Sequence, residues 1–132
     1  MNNPKILIVD NDISTVETIK AAFATETYSL DIAYGGQEAL EKMRKEDGSY
    51  DLLILDLMMP EVDGIQVLKK LMTEDGKLKK IPVLVVSALP VKSKAFQESQ
   101  EKFDELSVVK GVIEKPFEID ELLAKTKVIV GE

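Results

Sequence analysis

At 132 residues the chain has room for one domain with a hydrophobic core and too little for two of ordinary size. Apolar residues make up 45% and charged residues 31%, the balance of a globular protein, and no apolar run is long enough to cross a bilayer. A net charge of -7 disfavours direct contact with nucleic acid or an anionic membrane, and the lack of cysteine excludes a disulfide framework and a thiolate metal site. The opening MNNPKILIVD has neither the basic nor the long apolar region of a secretory signal, so a cytoplasmic location is expected. The acidic surplus suits cations or basic protein partners.

Residues 5–10 form the first short apolar run of strand length. A helical pattern follows with Val16, Ile19 and Phe23 on one face, opened by Ser14 with Glu17 three residues on, the spacing of a capping box. The second strand is predicted over 29–33. Gly35 and Gly36 precede a second helix marked by Ala39, Leu40 and Met43, which Asp47 and Gly48 close. A third strand over 50–55 leads to a helix marked by Ile65, Leu68, Leu71 and Met72. A fourth strand over 81–86 precedes a more polar helical pattern with Phe96, Phe103 and Leu106. The fifth strand spans 108–113, and Ile119, Leu122, Leu123 and Val130 mark the last helix.

Strict alternation of strand and helix implies a parallel sheet, because parallel strands need crossovers and these place helices on both faces. The runs LLIL and VLVV suit strands buried on both sides. The predicted class is α/β, a doubly wound five-stranded parallel sheet of flavodoxin-like (βα)5 type. A central first strand gives the order 2-1-3-4-5, which spacing alone leaves open. No repeat or linker is visible, so residues 1–132 are read as a single domain.

In such sheets ligands sit beyond the carboxyl ends of the strands. Asp10, Asn11 and Asp12 end the first strand and Asp56 ends the third. Brought together, these carboxylates repel unless a cation is present, and an oxygen-only cluster suits Mg²⁺ above Zn²⁺. Asp12 serves equally well as a helix cap. Ser87, after VLVV, places a hydroxyl where it can donate to a phosphoryl oxygen over Asp56. Lys115 follows the fifth strand as the basic side chain nearest the acids. Its neighbour Pro116 makes the 115–116 bond a candidate for the cis form, which would aim the lysine inward.

Together, Asp10, Asp56 within DLLILDLMMPEVDG, Ser87-Ala88 after VLVV, and Lys115-Pro116-Phe117 resemble the signature of the two-component response-regulator receiver family, in order and over nearly the whole chain. The resemblance implies phosphorylation of Asp56 by a histidine kinase or phosphotransfer protein. It implies Mg²⁺ held by Asp10, Asn11, Asp56 and the Met58 backbone carbonyl. It further implies that Ser87 and Lys115 engage the phosphoryl group, and that the fourth and fifth helices and the fifth strand shift so that a downstream protein or a fused output domain responds.

Three departures from the family pattern stand out. The second acid after the first strand is Asn11, whose amide supplies no charge, so weaker metal binding is expected unless Asp12 substitutes. The switch-aromatic position is Val112, otherwise an ordinary core valine. The stretch from Ser87 to Lys115 is several residues longer than is typical. Met58 and Leu89, which flank the incoming water's path in receivers, are apolar, so slow self-dephosphorylation is expected. Two other readings stay open: a receiver-like interaction module that is not phosphorylated, and a haloacid-dehalogenase-like phosphohydrolase using Asp10 and Asp12. Apart from assisting its own aspartyl phosphorylation and dephosphorylation, the chain is not expected to be an enzyme.

Overall fold

Each apolar run becomes a strand because its alternate residues find a helix layer on either side. The computed structural model describes residues 3–46, 49–74, 78–88 and 108–131. In order these form β1 (Lys5–Val9), α1 (Ile13–Ala22), β2 (Ser29–Ala33), α2 (Gly36–Lys45), β3 (Leu52–Leu55), α3 (Gly64–Thr73), a 3-10 turn (Leu78–Lys80), β4 (Val83–Ser87), β5 (Val109–Glu114) and α4 (Ile119–Val130). All four pairings are parallel and the order is β2-β1-β3-β4-β5, the doubly wound arrangement expected. The fourth predicted helix, Leu89 and the Asp47-Gly48 stop lie outside the described residues, so α4 here is the last predicted helix.

The sheet separates two apolar clusters. Leu7 and Val9 of β1, Leu53 and Leu55 of β3, and Val83 and Val85 of β4 face Ala39, Leu40 and Met43 of α2 and Val67, Leu68 and Leu71 of α3. Ile6, Ile8, Leu52, Ile54, Leu84 and Val86 face Val16 and Ile19 of α1 and Leu122 of α4. This two-residue alternation on fully buried strands explains why their sequences run apolar without a break.

The helix starts differ in part from expectation. Asp12 caps α1, with extended φ and ψ of -90° and 108°, and its carboxylate accepts from the Ser14 N–H at 3.0 Å. Ser14 already lies in the first turn, and its own hydroxyl donates to Asp12 at 2.9 Å, so the predicted Ser14–Glu17 box does not form. The capping box belongs to α3. The Asp63 carboxylate accepts from the Gln66 N–H at 2.9 Å and the Gln66 side chain accepts from the Asp63 N–H at 3.1 Å. On α4 the expected inward Ile119 is 44% exposed, while Thr126 is fully buried.

Candidate functional site

The site begins with hydrogen bonds that carry the sheet one residue past its strand ends. Asp10 N donates to the Ala33 carbonyl at 3.1 Å and Asp56 N donates to the Val9 carbonyl at 2.9 Å. Because β1 and β3 are neighbours with Val9 opposite Leu55, these bonds set Asp10 and Asp56 side by side at the carboxyl edge. Both are buried, 2% and 4% exposed. Close approach of α3 helps form this corner: a Cβ on Gly64 would fall inside contact distance of the Asp56 carbonyl oxygen and the Leu57 Cα. The Asp-Gly pair of MPEVDG thus combines a cap with a residue that has to lack a side chain, a signal present in the sequence that strand-end reasoning passed over.

Lys115 reaches the acids from the far side. Its N–H donates to the Ser87 carbonyl at 2.8 Å, which extends the β4–β5 pairing, and the Lys115–Pro116 peptide is cis. The ammonium lies 2.6 Å from Asp10 Oδ2 and 3.5 Å from Asp56 Oδ2. Asp10 is also held from behind, its Oδ1 accepting from the Asp12 N–H at 2.9 Å. Ser87 is buried at the end of β4, next to β3. The structure therefore brings together Asp10, Asp56 and Lys115, with Ser87 on the adjoining strand.

Charge in this corner is unevenly balanced. Burial pushes the Asp56 carboxyl above the usual carboxylate range and the Asp10 charge adds to the effect, while the Met58 N–H at 3.1 Å and the Lys115 ammonium pull against it. Asp12, in contrast, is exposed and held below the usual range by the Ser14 hydroxyl first, then by the Thr15 hydroxyl and the Ser14 N–H. Asn11 is exposed beside Asp10, and Met58, whose N–H meets the Asp56 carboxylate, is 53% exposed. Val112 is half-buried at the margin of the α2–α3 core.

No group of three acidic, His or Cys side chains able to hold a metal occurs among the described residues. Two buried carboxylates still suit Mg²⁺, which takes one or two carboxylates and keeps several of its waters, and their all-oxygen character argues against Zn²⁺. An amide such as Asn11 and a backbone carbonyl such as that of Met58 are donors of the same hard class. Beside Lys115 a cavity of about 360 Å³ opens between α1 and the β5–α4 loop, lined by Ser14, Thr15, Thr18, Lys115, Pro116 and Phe117 among others.

Residues 6–127 match the family model of the response regulator receiver domain. The chain is 36% identical over 124 residues to the transcriptional regulatory protein DltR of Streptococcus agalactiae, covering 93% of this chain and 50% of that protein. It is 29% identical over 133 residues to the response regulator ArlR of Staphylococcus aureus, covering 96% and 52%. The chain thus spans about half the length of the curated relatives it matches. Among solved structures, the receiver domain of Francisella response regulator 1452 superposes with a TM-score of 0.79 at 32% identity, covering 98% of both chains. The Vibrio cholerae chemotaxis protein CheY4 superposes with a TM-score of 0.79 at 25% identity, covering 97% of this chain and 99% of that one. With its sheet order, its sequence and its matched span all in agreement, the chain belongs to the response regulator receiver domain family.

Proposed function

We propose that this receiver accepts a phosphoryl group on Asp56, with Mg²⁺ bound alongside, and that the modification changes the protein surface it offers. The observation that carries this reading is the buried Asp56 carboxylate at the carboxyl edge of β3, with Asp10 beside it and the Lys115 ammonium 3.5 Å away. An Asp56 oxygen attacks phosphorus as the bond from phosphorus to the donor's leaving group breaks, and the leaving group departs with that electron pair. Lys115 then turns from Asp10 to the phosphoryl oxygens as a mobile point charge, and the Ser87 hydroxyl donates to one of them. Mg²⁺, when held by Asp10 and Asp56 with the Asn11 amide and the Met58 carbonyl, supplies positive charge that offsets the crowded oxygens. Asp12 is a substitute ligand only if it leaves the α1 cap.

The phosphodonor is a histidine kinase or phosphotransfer protein, and the output is a separate protein or a domain fused to the receiver. The half-length match to relatives named as a transcriptional regulatory protein and a response regulator supports the fused alternative. No helix among the described residues is long and apolar enough to cross a membrane. Apolar Met58 offers an attacking water no hydrogen bond, so the acyl phosphate persists.

The test is chemical. Incubation with Mg²⁺ and a small phosphodonor gives a label that is lost in hydroxylamine, prevented by chelator and mapped to the peptide holding Asp56. A label that resists hydroxylamine, or maps elsewhere, overturns the reading.

A further inference from the structure

β2 is one edge of the sheet. Ser29 N donates to the Pro4 carbonyl at 2.9 Å and the Ala33 carbonyl accepts from Asp10 N at 3.1 Å, so the odd-numbered residues turn their backbone groups toward β1. The backbone groups of Leu30 and Ile32 consequently point away from the sheet, where an added strand would lie, and the N–H of Tyr34, just past the end of β2, is also turned outward. Two side chains of α2 stand there instead. Lys42 Nζ donates to the Ile32 carbonyl at 2.7 Å, and the Glu38 carboxylate accepts from the Tyr34 N–H at 3.1 Å. Glu38 and Lys42 also pair with each other at 3.7 Å, four residues apart on the helix. Together they fill one outward acceptor and one outward donor two residues apart, which are groups an incoming strand would engage.

We propose that the β2 edge is a strand-pairing surface for a second copy of this chain, closed by the Glu38–Lys42 pair. Self-pairing is favoured by the sequence of the strand. Antiparallel pairing about a two-fold axis at Ile32 opposes Ile32 to itself and Leu30 to the second copy's Tyr34, so the outward N–H and C=O groups of Ile32 and the Leu30 carbonyl and Tyr34 N–H find partners. Leu30 and Ile32 are alternate residues on one face of β2, with Tyr34 in the bend just past its end, and the same register lays this apolar row against its own reverse. Leu30 and Ile32 are half-buried and Tyr34 is 44% exposed, so the row has apolar surface left to cover. Asp31 falls opposite Ala33 rather than another Asp31, which avoids a like-charge contact. The cover itself is easily opened, because the Glu38 and Lys42 side chains are 45% and 38% exposed and an exposed pair of this kind holds weakly.

The Glu38→Ala/Lys42→Ala variant removes the cover with residues that favour the helix. Sedimentation over rising concentration is compared with the parent, together with hydrogen exchange of the backbone amides. The variant is expected to self-associate at least about tenfold more tightly than the parent. Exchange at Ile32 and Tyr34 is expected to slow as the dimer forms. Association no tighter than the parent's, or association that leaves exchange at those two amides unchanged, overturns the proposal. Should circular dichroism show the double variant unfolded, Glu38→Lys, which repels Lys42 and withdraws the acceptor from Tyr34, is put through the same two measurements, and the same outcomes support or overturn the proposal.

Discussion

Replacing Lys115 with Met keeps much of the side chain's apolar length and deletes its charge. In the parent the ammonium lies 2.6 Å from Asp10 and 3.5 Å from Asp56, and the lysine and aspartate side chains are 16%, 3% and 5% exposed. Removing one partner from so buried a cluster costs about 3–5 kcal/mol, because the charge left behind stays desolvated. A proton can partly take the lysine's place. Asp56 already holds its proton more tightly than usual through burial and then the Asp10 charge, and Lys115 is one of the groups opposing this. A carboxyl whose pKa is raised by folding binds protons better folded than unfolded, so its contribution worsens as pH rises from the unfolded pKa through the folded one. The loss in Lys115→Met is therefore greatest at neutral pH and shrinks as the pH falls toward the usual carboxylate range. Urea unfolding measures it, and for a domain of this size the melting temperature should fall by roughly 10–20 °C at neutral pH. A loss below about 1 kcal/mol at neutral pH, the range of an exposed ion pair, refutes the reasoning, and so does an equal loss at the lower pH.

Thr126 is fully buried and its hydroxyl has no partner among the described residues, so Thr126→Val, of nearly the same shape, should stabilise the fold by about 1 kcal/mol or more, and a lower urea midpoint would contradict this. Gly64→Ala places a methyl group against the Asp56 carbonyl and should cost about 1–3 kcal/mol while slowing phosphorylation; unchanged stability and rate would show that α3 does not position the acceptor. Asn11→Asp adds a carboxylate beside Asp10 and should lower the Mg²⁺ midpoint for phosphorylation, and metal should raise its melting temperature more than the parent's. An identical midpoint in the two proteins removes Asn11 from the coordination sphere.

The sheet was legible because LLIL and VLVV admit few other placements and the alternation of strand and helix demands parallel pairing. Its order followed from the flavodoxin-like class with a central first strand and not from spacing, which cannot say that β1 pairs with both β2 and β3. Strand ends moved for local reasons. β3 starts at Leu52 because the Tyr50 hydroxyl donates to Asp31 at 2.7 Å and the Asp51 carboxylate accepts from Lys5 N–H at 2.8 Å. β4 starts at Val83, after a proline that has no N–H to give the ladder. The α4 stripe was misjudged at Ile119 because pattern reading follows apolar residues, and it passed over Thr126, which takes the inward place one turn after Leu122. At the site, Asp10, Asp56, Ser87 and Lys115 could be selected as strand-end residues. That Lys115 would lie against Asp10 more closely than against Asp56 depends on three strands in space, and no local pattern carries it.

The central claim is that Asp56 is the phosphoacceptor, and intact-protein mass tests it most directly. After exposure to a small phosphodonor with Mg²⁺, the parent should gain the mass of one phosphoryl group and the Asp56→Asn variant none; equal gain by both proteins would contradict the account.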